Sequence, residues 1–265
     1  MYNSLQLANK YLHYYLSASN GKGHGIHSPF VFGFIKNVLR DKNKYDSYHV
    51  IESRREKLNR DTRVIEVMDP GAGSAVFPTG KRRVCDIAST SLKSPKYAQL
   101  LFRIVQHYHP DNIIELGTSL GITTAYLAAG NPNAKVYTCE GVPPIAAIAR
   151  QGFAEMGCRS IELVEGDFSV TLPSILQRMG TVGLAYVDGN HRKEPTLEYF
   201  QRLMERCSSS SVLIFDDIHW SREMEEAWSQ VSHHPRVTLS IDLFFLGIVF
   251  FNADIKIPRP YTIRF

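Results

Sequence analysis

Apolar residues in this chain follow two different rhythms, and the change falls near residue 111. Beyond that point, short apolar runs alternate with longer amphipathic stretches. Ile113–Ile114, Lys135–Cys139, Ile161–Val164, Val182–Val187 and Val212–Phe215 read as buried strands. Helical stretches follow them in turn: Ile122–Ala129, Pro143 to about Met156, a short Pro173–Arg178, a segment reaching about Cys207, and one ending at Val231. Pro143 and Pro144 fit only the first turn of a helix. Val237–Phe244 and Gly247–Phe251 are joined by a very short turn and must therefore be antiparallel neighbours. Thr262–Phe265 offers a further edge strand. Five strand–helix units and a closing hairpin predict an α/β fold: a doubly wound sheet of seven strands, one of them antiparallel.

The first 110 residues follow the helical rhythm. Leu5, Leu7, Ala8, Tyr11, Leu12, Tyr15 and Leu16 approximate an i, i+3, i+4 repeat. Asn20–Gly25 breaks it. Ser28 is placed to cap a second helix with Pro29 at its first position, running through Phe30–Leu39. The glycines of the break follow a helix, which does not suit a phosphate loop; His24 and His27 in the same loop are either chemical or ordinary loop polarity. Asp41–Arg63 is highly charged and reads as a solvated helix or linker. Val64–Ser74 imitates a strand with a glycine turn, but Pro78 and Gly80 stand where a crossover helix would be needed. A flexible loop, Gly71–Arg83, is expected instead, a candidate flap over an active site, its basic end Lys81–Arg83 either meeting an acidic substrate or solvated. Ser94 and Pro95 then start a helix with Tyr97, Leu100, Leu101, Ile104, Val105 and Tyr108 on one face, ended by Pro110. The expected organisation is an N-terminal helical cap or extension over residues 1–92 and a ligand-binding domain over 93–265.

Composition narrows the class without choosing a function. The 265 residues are 44% hydrophobic and 21% charged, ordinary for a globular protein. Thirty Lys and Arg against 26 Asp and Glu leave a net charge of +4, which offers no electrostatic footprint for nucleic acid. Cys85, Cys139, Cys158 and Cys207 are scattered, with neither a disulfide framework nor a zinc ribbon, which favours a reducing, cytoplasmic setting. The polar interruptions of the N-terminus do not suit a signal peptide, and the longest apolar run, Leu243–Phe251, is too short to span a bilayer.

The candidate chemistry lies at the strand ends, where ligands bind in such a sheet. Glu115, Gly117 and Gly121 form an E-x-G-x-x-x-G turn between a strand and a helix. Gly117 would let the backbone approach a ligand, and Gly121 would let the helix start pack against the strand. Every other strand end is also acidic: Glu140, Asp167, Asp188 and the pair Asp216–Asp217. One such acid is usually a helix cap, but acids at all five ends would repel unless something cationic or rich in hydroxyls sits among them.

Glu115-Leu-Gly-Thr-Ser-Leu-Gly121 and Tyr137-Thr-Cys-Glu140 resemble the first motif and the second-strand acid of class I S-adenosylmethionine-dependent methyltransferases, in particular the O-methyltransferases related to catechol and caffeoyl-CoA methyltransferases. The resemblance covers about residues 95–251, and the GHGIHSPF stretch looks like the N-terminal region of a bacterial branch. It implies a Rossmann-like fold, S-adenosylmethionine as cofactor and O-methylation of a small hydroxylated molecule. It places the methionine and ribose near Glu115, Gly117, Thr118, Ser119 and Gly121, with Glu140 accepting both ribose hydroxyls. Gly166, Asp167 and Phe168 would hold the adenine, and Asp188 would lie near the sulfonium. It also brings a divalent cation, Mg²⁺ or another, with Asp188, Asp216 and Asp217 as ligands. Asp217 replaces the subgroup's usual amide, and His191 stands where a lysine is common; His191 is either a general base or a helix cap. His219 is a further ligand or base, and Trp220 would stack on an aromatic acceptor or fill the core.

Other readings stay open at this level. A nicotinamide-dependent oxidoreductase would need a tighter G-x-G-x-x-G than Gly117–Gly121. A nucleic-acid methyltransferase would show a proline–aromatic clamp after the fourth strand, where this chain has Asp188-Gly189-Asn190-His191. A cofactor-binding protein without catalysis would keep the fold. The expected partner is a small-molecule substrate, with no membrane and no nucleic acid, and the N-terminal helices would serve either a cap or a homodimer contact.

Overall fold

Most of the strand runs read from the sequence are apolar without alternation because both faces of those strands are covered: Ile113, Ile114, Leu116, Val136, Leu184, Leu213 and Ile248 are all buried. The computed structural model describes residues 1–19, 21, 28–67, 80–255 and 259–265. His24, His27 and the tip of the Gly71–Arg83 loop lie outside the described residues. The chain divides into two compact units, Met1–Asp41 with Gly180–Phe265 and, between them in sequence, Lys42–Met179.

Helix α1 spans Ser4–Ser17, opened by a reciprocal capping box between Asn3 and Gln6. Helix α2, Pro29–Phe34, has the expected Ser28 cap and Pro29 start, and continues as a π-helical turn, Ile35–Leu39. Both pack with the C-terminal strands of their unit: the Tyr11 ring meets Phe244 edge-on at 5.0 Å and the Phe30 ring meets Phe250 at 5.0 Å.

The Lys42–Met179 unit begins with α3, Asp46–Asn59. Its charge suggested a solvated helix, yet Ile51, Arg54, Arg55 and Leu58 are buried. Arg54 donates to Glu155 at 3.0 Å and to the Ile148 carbonyl at 3.3 Å, and Arg55 donates to Glu52 and to the Lys93 carbonyl. Strands β1 (Val64–Val67) and β2 (Gly80–Arg83) then form an antiparallel pair, so Lys81–Arg83 belong to a strand rather than to a loop. The stretch after β1 where no crossover helix was expected, residues 68–79, lies outside the described residues. Helix α4, Val84–Ser91, had no sequence signature; the Ser89, Thr90 and Ser91 hydroxyls bond back to carbonyls of their own helix. Helix α5, Pro95–Tyr108, buries the predicted face and ends at His109 in the left-handed conformation. Strands β3 (Asn112–Leu116), β4 (Lys135–Glu140) and β5 (Ile161–Glu165) are parallel neighbours in that order. Helices α6 (Ile122–Gly130) and α7 (Pro143–Glu155) have nearly the expected bounds. Helix α8 is longer than expected, Phe168–Met179 with Pro173 inside it, because the cap is Asp167 and not the residue before the proline.

The other unit resumes with β6 (Val182–Val187), α9 (Lys193–Met204), β7 (Cys207–Asp216), α10 (Arg222–Ser232), β8 (Leu239–Asp242), β9 (Leu246–Phe250) and β10 (Arg259–Thr262). β6 is parallel to β7, β9 is antiparallel to both β7 and β8, and β10 lies parallel to β8. The doubly wound strands therefore number eight among the described residues, β3–β10, instead of seven. The extra one is the expected edge strand, shifted towards the N-terminus. The boundary expected after residue 92 does not coincide with either unit. Helices α3 and α4 share a core with α5–α7, in which Ile51, Val84 and Ile87 cluster with Phe102, Tyr126 and Ile145. No helix among the described residues is long and apolar enough to cross a membrane.

Helix α1 is tied down by a charged cluster. The His219 Nδ1 lies 3.0 Å from Glu225 and its Nε2 2.9 Å from Asp242, while Glu225 also accepts from Tyr2 at 2.7 Å and Lys10 at 2.9 Å. Burial alone would lower the His219 pKa, but the Asp242 and Glu225 carboxylates outweigh it and raise the value. Burial would raise Glu225; Lys10, Tyr2 and His219 outweigh it and lower the value. The imidazolium's contribution to stability is thus complete below an ordinary pKa of about 6.5 and lost as pH rises through the higher folded value. The Glu225 contribution is complete above about 4.5 and lost as pH falls through its lower folded value. Urea unfolding across pH should show both slopes, and His219→Gln should flatten the alkaline one; an unchanged slope would remove His219 from this role.

Candidate active site

The glycine turn is built from backbone that only particular residues tolerate. Gly117 has φ +105° and Gly121 φ +82°, both in the region that excludes most side chains. The Gly117 and Thr118 N–H groups both donate to the Cys139 carbonyl, at 3.1 and 3.0 Å, which fastens the loop to the end of β4. Ser119, at φ +48°, turns its N–H onto the Glu140 carboxylate at 2.8 Å. A Cβ on Gly121 would stand 2.7 Å from the Phe153 ring, so this glycine admits α7, not the strand that the sequence reading placed against it.

Glu140 ends β4 and is 9% exposed. Its second oxygen accepts from the Val142 N–H at 3.0 Å, so backbone amides from two loops fix the plane of the carboxylate. Glu115 differs from expectation. It is 0% exposed, and one carboxylate oxygen accepts from the hydroxyls of Thr138, at 2.6 Å, and Thr124. It lies beneath the loop and supports it, rather than lining a ligand site. Asp167 caps α8 by accepting the Ser169 N–H at 2.7 Å, and hydrogen bonds from the Ser169 side chain and backbone hold its pKa below the usual range. The side chain stays exposed beside the half-buried Phe168 ring. Gly166, at φ +133°, donates to the Glu140 carbonyl at 3.0 Å and so links the ends of β4 and β5.

In the other unit, Asp188 follows β6 and accepts from the Tyr186 hydroxyl at 3.0 Å. The His191 Nε2 is 3.6 Å from the other Asp188 oxygen, an ion-pair separation. Asn190, at φ +66°, makes this turn possible and donates to Tyr199 at 3.3 Å. Asp216 is the last residue of β7 and buried; Asp217, the next, has φ +51° and opens a turn closed by the Trp220 N–H. No group of three His, Cys, Asp or Glu able to hold a metal ion exists among the described residues, the expected set of Asp188, Asp216 and Asp217 included. His219 serves the α1 cluster with both its nitrogens, and half-buried Trp220 accepts the Tyr2 N–H on its carbonyl. Glu115, Glu140, Asp167 and Asp188 thus each have local partners of their own.

The sequence model of a family described as a methyltransferase domain matches residues 114–218. The match runs from β3 into the turn after β7, less than half of the chain. It is 29% identical over 133 residues to a catechol O-methyltransferase of Niastella koreensis, covering 49% of this chain and 58% of that protein. It is 32% identical over 126 residues to catechol O-methyltransferase B of Danio rerio, covering 45% of this chain and 47% of that protein. The chain thus spans about half the length of these curated relatives. A solved O-methyltransferase of Bacillus cereus in complex with SAH shares the fold, with a TM-score of 0.56 at 19% identity, over 83% of this chain and 97% of that one.

The residues of this domain that sequence reasoning missed are hydroxyls. Thr124 and Thr138 join the already singled-out Thr118 around Glu115, and the Ser91 hydroxyl lies 2.9 Å from that of Ser119. A threonine inside an apolar strand such as Val136–Cys139 carries no mark of its role; only the register that sets Thr138 beside Glu115 reveals it. Gly121→Ala should destabilise the domain by about 1–3 kcal/mol, the cost of overpacking against a ring together with a strained φ. Urea unfolding measures this, and an unshifted midpoint would mean that α7 yields without cost.

Proposed function

We propose that the chain is an S-adenosylmethionine-dependent O-methyltransferase acting on a small hydroxylated molecule. The observation that carries this reading is Glu140, a mostly buried strand-end carboxylate whose plane is fixed by the Ser119 and Val142 amides beside a left-handed glycine turn. The vicinal hydroxyls of a ribose match such a carboxylate as a bidentate donor pair. The domain match and the catechol O-methyltransferase relatives support a methyl donor over a nicotinamide. The reducing cytoplasm belongs to the same reading, supported by four free cysteines.

When bound, S-adenosylmethionine would supply a methyl group on a sulfonium sulfur, open to in-line displacement. Gly117, Thr118, Ser119 and Gly121 would meet the methionine and ribose portion with backbone, and Asp167 and Phe168, after Gly166, would meet the adenine amino group and ring face. Asp188 and His191 are the proposed acid–base pair. Since Nε2 is the ring nitrogen 3.6 Å from Asp188, His191 would act through Nδ1. That nitrogen would take the acceptor's hydroxyl proton as the new C–O bond forms and the C–S bond breaks. Asp188 would stabilise the imidazolium. Because the three aspartates do not group as metal ligands, no step is assigned to a cation.

Calorimetric titration with S-adenosylhomocysteine tests the reading, with NAD as the competing ligand. Micromolar binding of the thioether is expected; binding of NAD instead, or of neither, overturns it. Glu140→Ala should weaken that binding by about 1–3 kcal/mol, as for lost hydrogen bonds to a charged group. His191→Gln should lower kcat on a hydroxylated aromatic acceptor while leaving thioether affinity unchanged. Tight binding without turnover of such acceptors would point to a cofactor-binding protein that lacks catalysis.

A further inference from the structure

Four polar side chains without solvent access converge under the glycine turn: Glu115, Thr118, Thr124 and Thr138. Such residues are seldom buried together unless their hydrogen bonds are made. The donor count gives this set a direction. A carboxylate only accepts, so the Glu115 oxygen takes the hydroxyl protons of both Thr138 and Thr124. Each threonine hydroxyl has one proton to give. Thr138 has spent its own on Glu115, so in its 2.6 Å contact with Thr118 it must accept, and Thr118 must donate. The chain therefore runs from Thr118 on the loop, through Thr138 on β4, to Glu115 on β3.

We infer that Thr138 and Glu115 are positioning residues of the cofactor site, holding Thr118 so that the next residue's N–H orients Glu140 towards the ribose. The inference rests on the methyltransferase reading above. The link is one residue long: Thr118 is fixed by its hydroxyl and by its N–H on the Cys139 carbonyl, and Ser119 follows in a left-handed conformation with its N–H on Glu140. Ser119 is tied on its other side by the Ser91 hydroxyl, so the loop has little freedom except through Thr118. Thr124 provides an internal control. It donates to the same Glu115 oxygen from α6, but is no part of the path to Thr118.

The experiment compares S-adenosylhomocysteine with its 2′,3′-dideoxy analogue by calorimetry, together with urea midpoints for every variant. The wild-type protein should prefer the intact ribose by about tenfold or more, and Glu140→Ala should reduce that preference to within about threefold. Thr138→Val should reduce it likewise, Thr138→Ser should restore it, and Thr124→Val should keep it even where its midpoint falls as far as that of Thr138→Val. A merely structural role would lower midpoints and both affinities together, leaving the ratio at its wild-type value. That ratio in folded Thr138→Val overturns the inference while leaving the function standing. Absence of thioether binding, or of any ribose preference in the wild type, overturns the function itself. Should Thr138→Val not fold, Thr118→Val cuts the same path while leaving Glu115 both of its donors, and is judged by the same ratio.

Discussion

A carboxylate removed from water must find donors, and Glu115 finds them in hydroxyls. This requirement shapes the surroundings of the glycine turn. Thr138 cannot be an apolar residue although its strand neighbours are, and α6 must begin where Thr124 reaches the same oxygen. With strand, helix and loop converging on one buried group, the turn from Leu116 to Ile122 has few conformations available. The left-handed angles of Gly117, Ser119 and Gly121 belong to that constraint, since backbone of this kind persists only when its surroundings over-determine it.

The same logic explains the buried arginines of α3. A guanidinium enters a core more readily when donors are matched, and Arg54 places two of its nitrogens on a carboxylate and a carbonyl of α7. Gly152 makes room for it, since a Cβ there would stand 3.0 Å from the Arg54 Nε. Removing either side of such a pair leaves an uncompensated charge, which costs far more than the pair contributes. One face of α3 is in this sense interior to its unit, although its composition reads as surface.

What was legible in the sequence follows from this distinction. Elements whose formation depends on apolar periodicity or on a cap were readable: the face of α5, the Ser28–Pro29 start of α2, the strands β3, β4 and β6, and the β8–β9 hairpin. Elements whose formation depends on tertiary partners were not. Helix α4 is short and rich in Ser and Thr, which favour caps and turns over helix interiors. Strand β7 begins in Cys207–Ser211, a serine run without strand character, and its register with β6 shifts there. The site was legible to a similar degree. Glycines that need positive φ announced themselves, whereas Glu115 looked like a ligand group because sequence cannot tell which strand-end acid faces outward.

That ambiguity bears on how strand-end acids should be weighed. Acids at every strand end suggested a shared cation or a hydroxyl-rich ligand, on the ground that like charges repel. The structure answers the repulsion locally: hydroxyls for Glu115, amides for Glu140, the helix start for Asp167, a phenol and an imidazole for Asp188. Their number alone therefore points to no ligand. What separates Glu140 from the rest is the kind of partner. Hydroxyls rotate and solvent rearranges, but backbone amides from two loops fix both oxygens in one plane before any ligand arrives, so little reorganisation is left for binding. A carboxylate held in that way is suited to a rigid diol, and it is this preorganisation, not the abundance of acid, on which the functional argument rests.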